Sequence, residues 1–462
     1  MALFTGLQGF NILCSIVKMK IVALWLQAVG VGLFGIFNIT TDTLSTLTDL
    51  GLRQSAVRDV AMNGSNTGYL ARVIAVVRRW CRWSGLLGAV VISGLSVPLS
   101  NWFFKSPDQW WCFAILAASM LLNAIIGGEQ AILQGTSRLK QIARISLFGT
   151  LGGLIVSIPM FYYLGNNSVL YSILAYSAAM AVATYLYRYK SIRRVTLTTK
   201  EVAREGSSFV RLGAYMAIAA FISNMAQMAF TAYLSRKGGE AEVGYFQAGT
   251  TIVVRYVGLI FTALAMEYYP RLAANIASDK RIQMFVNHET VVLMLVLIPI
   301  LLLFMLLRIF VVRLLYSPAF DVIIPFISWA ILSCTFKGFS WCMAFVVLAK
   351  GDGRTYIITE SVDAIIGLSL SMLCYNLGGL PAVGLAYIGW YLCYTLIISA
   401  VYHFRYKLNI SAITFKTFII AVAVTSLGWA SMEYLPIWLN WIIIPLTVVA
   451  FLPPLLRLWR RK

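Results

Sequence analysis

The chain has 462 residues, of which 60% are hydrophobic and only 12% charged, with a mean hydropathy of +0.81. A water-facing surface needs about a quarter of residues charged, so the composition excludes a soluble globular protein and leaves a polytopic membrane protein. The net charge of +20 does not point to nucleic acid, because the Lys and Arg residues sit in short clusters between apolar stretches instead of one stripe or tail.

Apolar runs fall at 4–26, 30–57, 84–104, 110–134, 143–165, 168–187, 209–235, 243–269, 288–315, 322–349, 355–376, 379–402, 412–432 and 437–456. Each can cross a hydrocarbon core of about 30 Å at about 1.5 Å per residue. The expected fold is therefore an all-α membrane protein of about fourteen transmembrane helices. The first run has no basic segment before it and no small-residue cleavage site after it, which predicts a retained helix and not a signal peptide. The second run, 30–57, is the least apolar. Stretch 71–83, with Trp80, Trp83 and several Arg residues, is expected either as an amphipathic interfacial segment or as a solvated extension of the next helix. The longest charged connector, about 188–211, follows the sixth run. The expected organisation is a six-helix bundle over 1–190, a cytoplasmic linker over 191–208 and a second six-helix bundle over 209–405. Two further helices and a basic tail fill 406–462.

The positions of the 37 Lys and Arg residues set an orientation. With the N-terminus inside, 28 of them fall in cytoplasmic connectors or the C-terminal tail. These include Arg53, Arg58, Arg72, Arg78, Arg79, Arg82, Arg138, Arg193, Arg194, Arg211, Lys350, Arg354, Arg405, Arg457, Arg460, Arg461 and Lys462. Only Lys105, Arg236, Lys237, Arg308 and Arg313 fall on the other side. The asymmetry predicts that both termini are cytoplasmic. It also accounts for the basic pI without nucleic acid.

No catalytic set is visible. GxxxxGK[ST], HExxH and GxSxG are all missing, so the chain is expected not to be an enzyme and to hold no ATP, metal or other cofactor. Its seven cysteines form no CxxC pair, and His288 and His403 stand far apart.

The two halves share a weak repeat. Val31-Gly32-Leu33-Phe34 opens the second run and Val243-Gly244-Tyr245-Phe246 the eighth, 212 residues later. Gln134-Gly135-Thr136-Ser137-Arg138 closes the fourth run and Lys350-Gly351-Asp352-Gly353-Arg354 the tenth, 216 residues later. Matches at nearly one offset and at equivalent places argue for two parallel six-helix repeats. The run Val29 to Phe37, followed by Thr48-Asp49-Leu50-Gly51-Leu52 and Arg58, resembles the first hairpin of polysaccharide-precursor flippases. Tyr245-Phe246-Gln247-Ala248 and Tyr269-Pro270-Arg271-Leu272 resemble the matching signature of their second half. The resemblance spans 4–405 and is to the multidrug/oligosaccharidyl-lipid/polysaccharide exporter superfamily. It implies a flippase for an undecaprenyl-diphosphate-linked repeat unit, serving O-antigen, capsule or exopolysaccharide assembly by alternating access. The implied partners are the lipid-linked oligosaccharide, membrane lipids, a coupling H+ or Na+, and polysaccharide polymerase machinery. An ion-coupled multidrug antiporter of the same superfamily is the nearest alternative, and a membrane polysaccharide polymerase or ligase the next. Central cations argue against the first, and short outer connectors against the second.

Charge inside the spans supplies the candidate site, since it is costly in lipid and marks pathways or partners. Arg255, Lys337, Lys18 and Lys20 are the candidate substrate-binding cations. Lys18 and Lys20, two residues apart, point to different faces, so one of them is expected to face a cavity. Asp42, Glu129, Asp49 and Arg53 are the candidate coupling or salt-bridge residues, with Asp49 and Arg53 spaced for a local pair. Arg255 and Lys337 are read either as functional cations or as buried partners of Asp42 or Glu129. Glu360 and Asp363 are expected to reach water or to meet Arg138 or Arg354. Arg138 and Arg354, at the matched corners, are the candidate cytoplasmic gate.

Overall fold

The computed structural model describes residues 2–49, 51–62, 67–190, 195, 197–276 and 278–459. The side chains of Arg58, Arg211, Arg255, Tyr256 and Pro270, and residues Arg193, Arg194 and Arg457 to Lys462, lie outside the described residues and side chains. Among the described residues all regular structure is helical. By contact density the chain divides into two compact units, Met1–Gly244 and Tyr245–Lys462.

The first unit begins with α1 (Ala2–Trp25), α2 (Gln27–Asp49), α3 (Leu52–Met62), α4 (Thr67–Gly94) and α5 (Ser96–Phe104). It continues through α6 (Trp110–Gly135), α7 (Leu139–Leu164), α8 (Ser168–Tyr187) and most of α9 (Thr199–Thr250). The second unit holds α10 (Gly258–Ala274), α11 (Asp279–Leu315), α12 (Ile324–Ala349), α13 (Gly353–Ala400), α14 (Ala412–Tyr434) and α15 (Ile437–Trp459). By length and apolarity seven continuous helical runs, or up to eight with the bent α4–α5 pair, can cross a membrane among the described residues.

Three of these runs are double. Gly239 (φ 79°) divides α9, Gly379 (φ 64°) divides α13, and Gly165 (φ 55°) separates α7 from α8. Glycine alone takes such angles without a Cβ penalty. The α7–α8 turn is a true reversal, because Gly149 packs on Met180 and Gly153 on Tyr176, an antiparallel register. With these reversals, and with α1, α2 and α15, the helices follow the fourteen-span layout expected from the apolar runs.

The structure corrects one local expectation, decides between two readings at a second place and sets a helix start at a third. The run 30–57 is not one helix: α2 ends at Asp49, Gly51 (φ 74°) turns the chain, and α3 starts at Leu52. Of the two readings of stretch 71–83, the extension of the next helix holds: the stretch is the body of α4, and its arginines continue that helix. Helix α9 already begins at Thr199, inside the expected linker, because Thr198 and Glu201 cap each other. Thr198 N and Oγ1 donate to Glu201 Oε2, each at 2.8 Å, and Glu201 N donates back to Thr198 Oγ1 at 3.4 Å. This capping box was legible as Thr-Thr-Lys-Glu.

The low apolarity of α2 has a local remedy. Thr40, Thr41, Thr43 and Thr46 each donate to the carbonyl four residues back, at 2.6–2.8 Å. Those hydroxyls thus need no water inside the span. Asn224 of α9 packs on the same stretch, donating to Thr46 Oγ1 at 3.0 Å and accepting from Thr43 at its carbonyl at 3.3 Å. At the other end of α2 the chains approach more closely still. A Cβ on Gly32 would strike the Glu240 carbonyl, and a Cβ on Gly244 would strike that of Ala28.

Candidate transport site

Each unit holds one half-buried lysine inside its helices, framed by ring faces. Lys18 Nζ on α1 lies 4.5 Å from the Phe34 ring centroid on α2 and 5.1 Å from that of Tyr176 on α8. Lys337 Nζ on α12 lies 5.7 Å from Phe261 and 5.1 Å from Tyr391. A ring face offers an ammonium partial compensation for lost water. Of the two N-terminal lysines, Lys18 is directed at the Phe34 and Tyr176 rings, and Lys20 is half-buried with contacts of its own. Asp42 stands exposed on α2 and is likewise engaged.

Lys337 has acidic company that sequence reasoning placed elsewhere. Asp363 and Glu360 lie within its electrostatic reach. Asp363 accepts from Trp390 Nε1 at 2.5 Å, and Glu360 from Tyr394 Oη at 3.0 Å. Both acids are therefore held by the returning half of α13, correcting the expectation that they reach water or meet the corner arginines. The hairpin at Gly379 brings residues some thirty positions apart together, and no local pattern announces that.

The backbone of Arg255 lies in a π-helical turn, Thr251–Tyr256, between the Gly239 reversal and the end of α10. Such turns widen the helix by one residue and are frequent at functional sites.

In the first unit the salt-bridge candidates separate into two clusters. Asp49 and Arg53 stand 3.1 Å apart across the Gly51 turn. Ser84 donates to Asp49 at 2.6 Å, and Arg53 donates to the Asn123 carbonyl at 3.3 Å. Glu129, only 6% exposed, receives Arg78 through two bonds of 2.6 and 2.9 Å. Glu129 is thus taken by a residue that the charge count had assigned to a connector, and not by Lys337. Arg78 also donates to the Tyr189 carbonyl at 2.6 Å, Arg79 to that of Leu197 at 2.8 Å, and Trp80 Nε1 to that of Val202 at 2.7 Å. Removing one partner of a buried ion pair costs about 3–5 kcal/mol. Arg78→Met is therefore expected to lower thermal stability in detergent by that order, with Arg78→Met/Glu129→Gln recovering most of it. Equal melting of wild type and Arg78→Met would show that the pair carries no stability.

The two basic corners are built alike. At the first, Arg138 lies over Tyr189 at 4.3 Å, beside Ser137 with φ 57°. At the second, Lys350 lies over Tyr406 at 5.2 Å and meets Asp279 at 2.9 Å. Arg354 itself is exposed. Asp352 holds that corner together: it caps Thr355 and accepts from Arg405 at 2.7 Å and Tyr406 at 3.2 Å. Burial alone would raise the Asp352 carboxyl, but these donors outweigh it and hold it at about 2. Sequence reasoning named Arg354 and missed Asp352, whose place before Gly-Arg-Thr is a capping signal. Among the described residues no three His, Cys, Asp or Glu side chains gather as a metal site would require.

Helices that reverse at glycines, with cations framed by rings inside apolar runs, define a multi-pass all-α membrane protein. Its solved likenesses agree. A structure described as the lipid II flippase MurJ in an inward closed conformation matches with TM-score 0.73 at 13% identity, covering 99% of each chain. An inward-facing multidrug resistance MATE family transporter of the MOP superfamily matches with TM-score 0.63 at 13% identity, over 90% of this chain and 96% of that one. A MOP superfamily transporter from Pyrococcus furiosus matches with TM-score 0.54 at 13% identity, over 93% and 94%. No curated protein sequence matches significantly. A family model described as polysaccharide biosynthesis protein matches residues 21–325. The chain belongs to that polysaccharide biosynthesis family.

Proposed function

We propose that the protein flips a lipid-linked oligosaccharide, a repeat unit carried on undecaprenyl diphosphate, across the bacterial inner membrane for O-antigen, capsule or exopolysaccharide assembly. The observation that carries this reading is the pair of ring-framed lysines, Lys18 and Lys337, within the spans. A diphosphate cannot cross hydrocarbon without countercharge, and aromatic faces suit sugar rings beside it. The family match to polysaccharide biosynthesis supports the same reading, as does the fold shared with a lipid II flippase.

In this proposal two six-helix halves, 1–190 and 209–405, alternate access with both termini in the cytoplasm, and Arg138 and Arg354 mark the corners that part on the inner side. Lys18 in the first unit, and Arg255 and Lys337 in the second, are the residues proposed to supply countercharge to the diphosphate, and Asp42 exchanges a proton or Na+ with the cycle.

A drug antiporter on the same fold is the second reading, favoured by the likeness to MATE transporters. An organic cation would meet repulsion from these lysines. Purified protein in liposomes is expected to move a fluorescent lipid-linked oligosaccharide between leaflets and to leave ethidium gradients unchanged. Ethidium efflux without lipid movement would reverse the assignment.

A further inference from the structure

At the end of the second unit away from the basic corners, one guanidinium is buried with too few acceptors. Arg308, which the charge count had placed in a connector, lies inside α11 and is 9% exposed. Its Nη1 donates to Ser328 Oγ on α12 at 2.8 Å. Its Nη2 stands 3.7 Å from Glu433 Oε2 on α14, beyond hydrogen-bond length. Its Nε is buried and has no acceptor, and neither has the buried indole Nε1 of Trp429.

These two donors belong to one cluster. Trp429 precedes Glu433 by one helical turn and shares its face. Its ring lies 4.0 Å, centroid to centroid, from that of Trp329, the neighbour of Ser328. An unmet buried donor is costly, most of all on a charged group. An oxyanion is the acceptor that suits a guanidinium and an indole N–H alike. Glu433 is the internal candidate, but its side chain is 52% exposed and stops short.

The surroundings indicate what carries the oxyanion. Phe310 and Leu314 of α11 are exposed, as are Tyr434, Trp438 and Trp441 at the α14–α15 turn. Apolar side chains beside exposed Trp and Tyr are the pattern found at headgroup level in a bilayer. The guanidinium fork is the side chain best matched to a phosphate. We infer that Arg308, Ser328 and Trp429 form a binding site for the phosphate of a membrane lipid headgroup, with Glu433 as a competing carboxylate at its rim.

The full chain purified in detergent tests this by native mass spectrometry and thermal melting. Phosphatidylglycerol is expected to be retained and to raise the melting temperature, while the matching diacylglycerol, which lacks the phosphate, does neither. Arg308→Lys keeps the charge and loses the Nε donor; Trp429→Phe keeps the ring and loses the N–H. Each is expected to lower phosphatidylglycerol retention about tenfold, the scale of one charge-assisted hydrogen bond, and Glu433→Gln to raise it. Should Arg308→Lys fail to fold, the other two variants decide the matter alone. Wild-type retention by Trp429→Phe together with no gain in Glu433→Gln would overturn the site. Equal binding of diacylglycerol would overturn the phosphate, and equal protection by inorganic phosphate would overturn the lipid.

Discussion

Replacing Arg255 with alanine is expected to abolish saccharide export while the protein still inserts and folds. Its position carries the argument: Arg255 lies on a π-helical turn between the Gly239 reversal and the end of α10, far from either end of the span. A guanidinium there can hold a phosphate through two bonds at once, each worth about 1.5–3 kcal/mol when charged. Loss of both corresponds to about a hundredfold or more in transport. Arg255→Lys restores the charge but not the fork, so it is expected to recover only part of the rate. Flux of lipid-linked saccharide in cells, normalised to membrane-inserted protein, is the measurement. Full export by Arg255→Ala would make the residue structural and would leave the proposed countercharge to the two lysines.

Alanine at Gly32 or Gly244 is expected to do comparable damage for a purely steric reason. The two glycines occupy matched positions in the repeat, and in the structure each fills the space beside the other's preceding turn. Gly32 abuts the Glu240 carbonyl and Gly244 the Ala28 carbonyl, so both obstacles are backbone and cannot swing aside. Helices meet this closely in membranes only through small residues. A single methyl must push α2 and α9 apart, and a cost of about 3 kcal/mol or more is in the range of severe packing defects. Cross-linking of Ala28→Cys with Glu240→Cys should be efficient in the parent and fall sharply when Gly32→Ala or Gly244→Ala is added. Undiminished cross-linking with unchanged melting would mean that the helices do not cross there.

Composition and charge placement made the membrane fold legible, because lipid punishes every misplaced polar residue and so writes the spans into the sequence. The repeat was legible through Gly32 and Gly244, although nothing in the letters said that the two would touch. Partners across helices were the hidden part. Glu129 meets Arg78 from fifty-one positions away, and Asp363 meets Trp390 only because α13 folds back at Gly379. Any of several charges would have fitted each acid. Arg308 falls inside the run 288–315 yet counts as outer charge, because a long side chain near a helix end can reach out of the span; here Ser328 holds it inside. The Thr198–Glu201 capping box and the Asp352 cap were different, since both lay in plain view as local spacing.

Three consecutive residues of α4 fasten the segment that follows α8, and all three do so through main-chain oxygens. Arg78, Arg79 and Trp80 bind the carbonyls of Tyr189, Leu197 and Val202. Every residue type presents a carbonyl, so these three bonds do not by themselves demand particular side chains at Tyr189, Leu197 or Val202. Packing does constrain them: Val202 is 1% exposed, Tyr189 and Leu197 pack on the same core, and the Tyr189 ring lies under Arg138. Substitution at Tyr189, Leu197 and Val202 is therefore expected to be tolerated only where the replacement stays apolar.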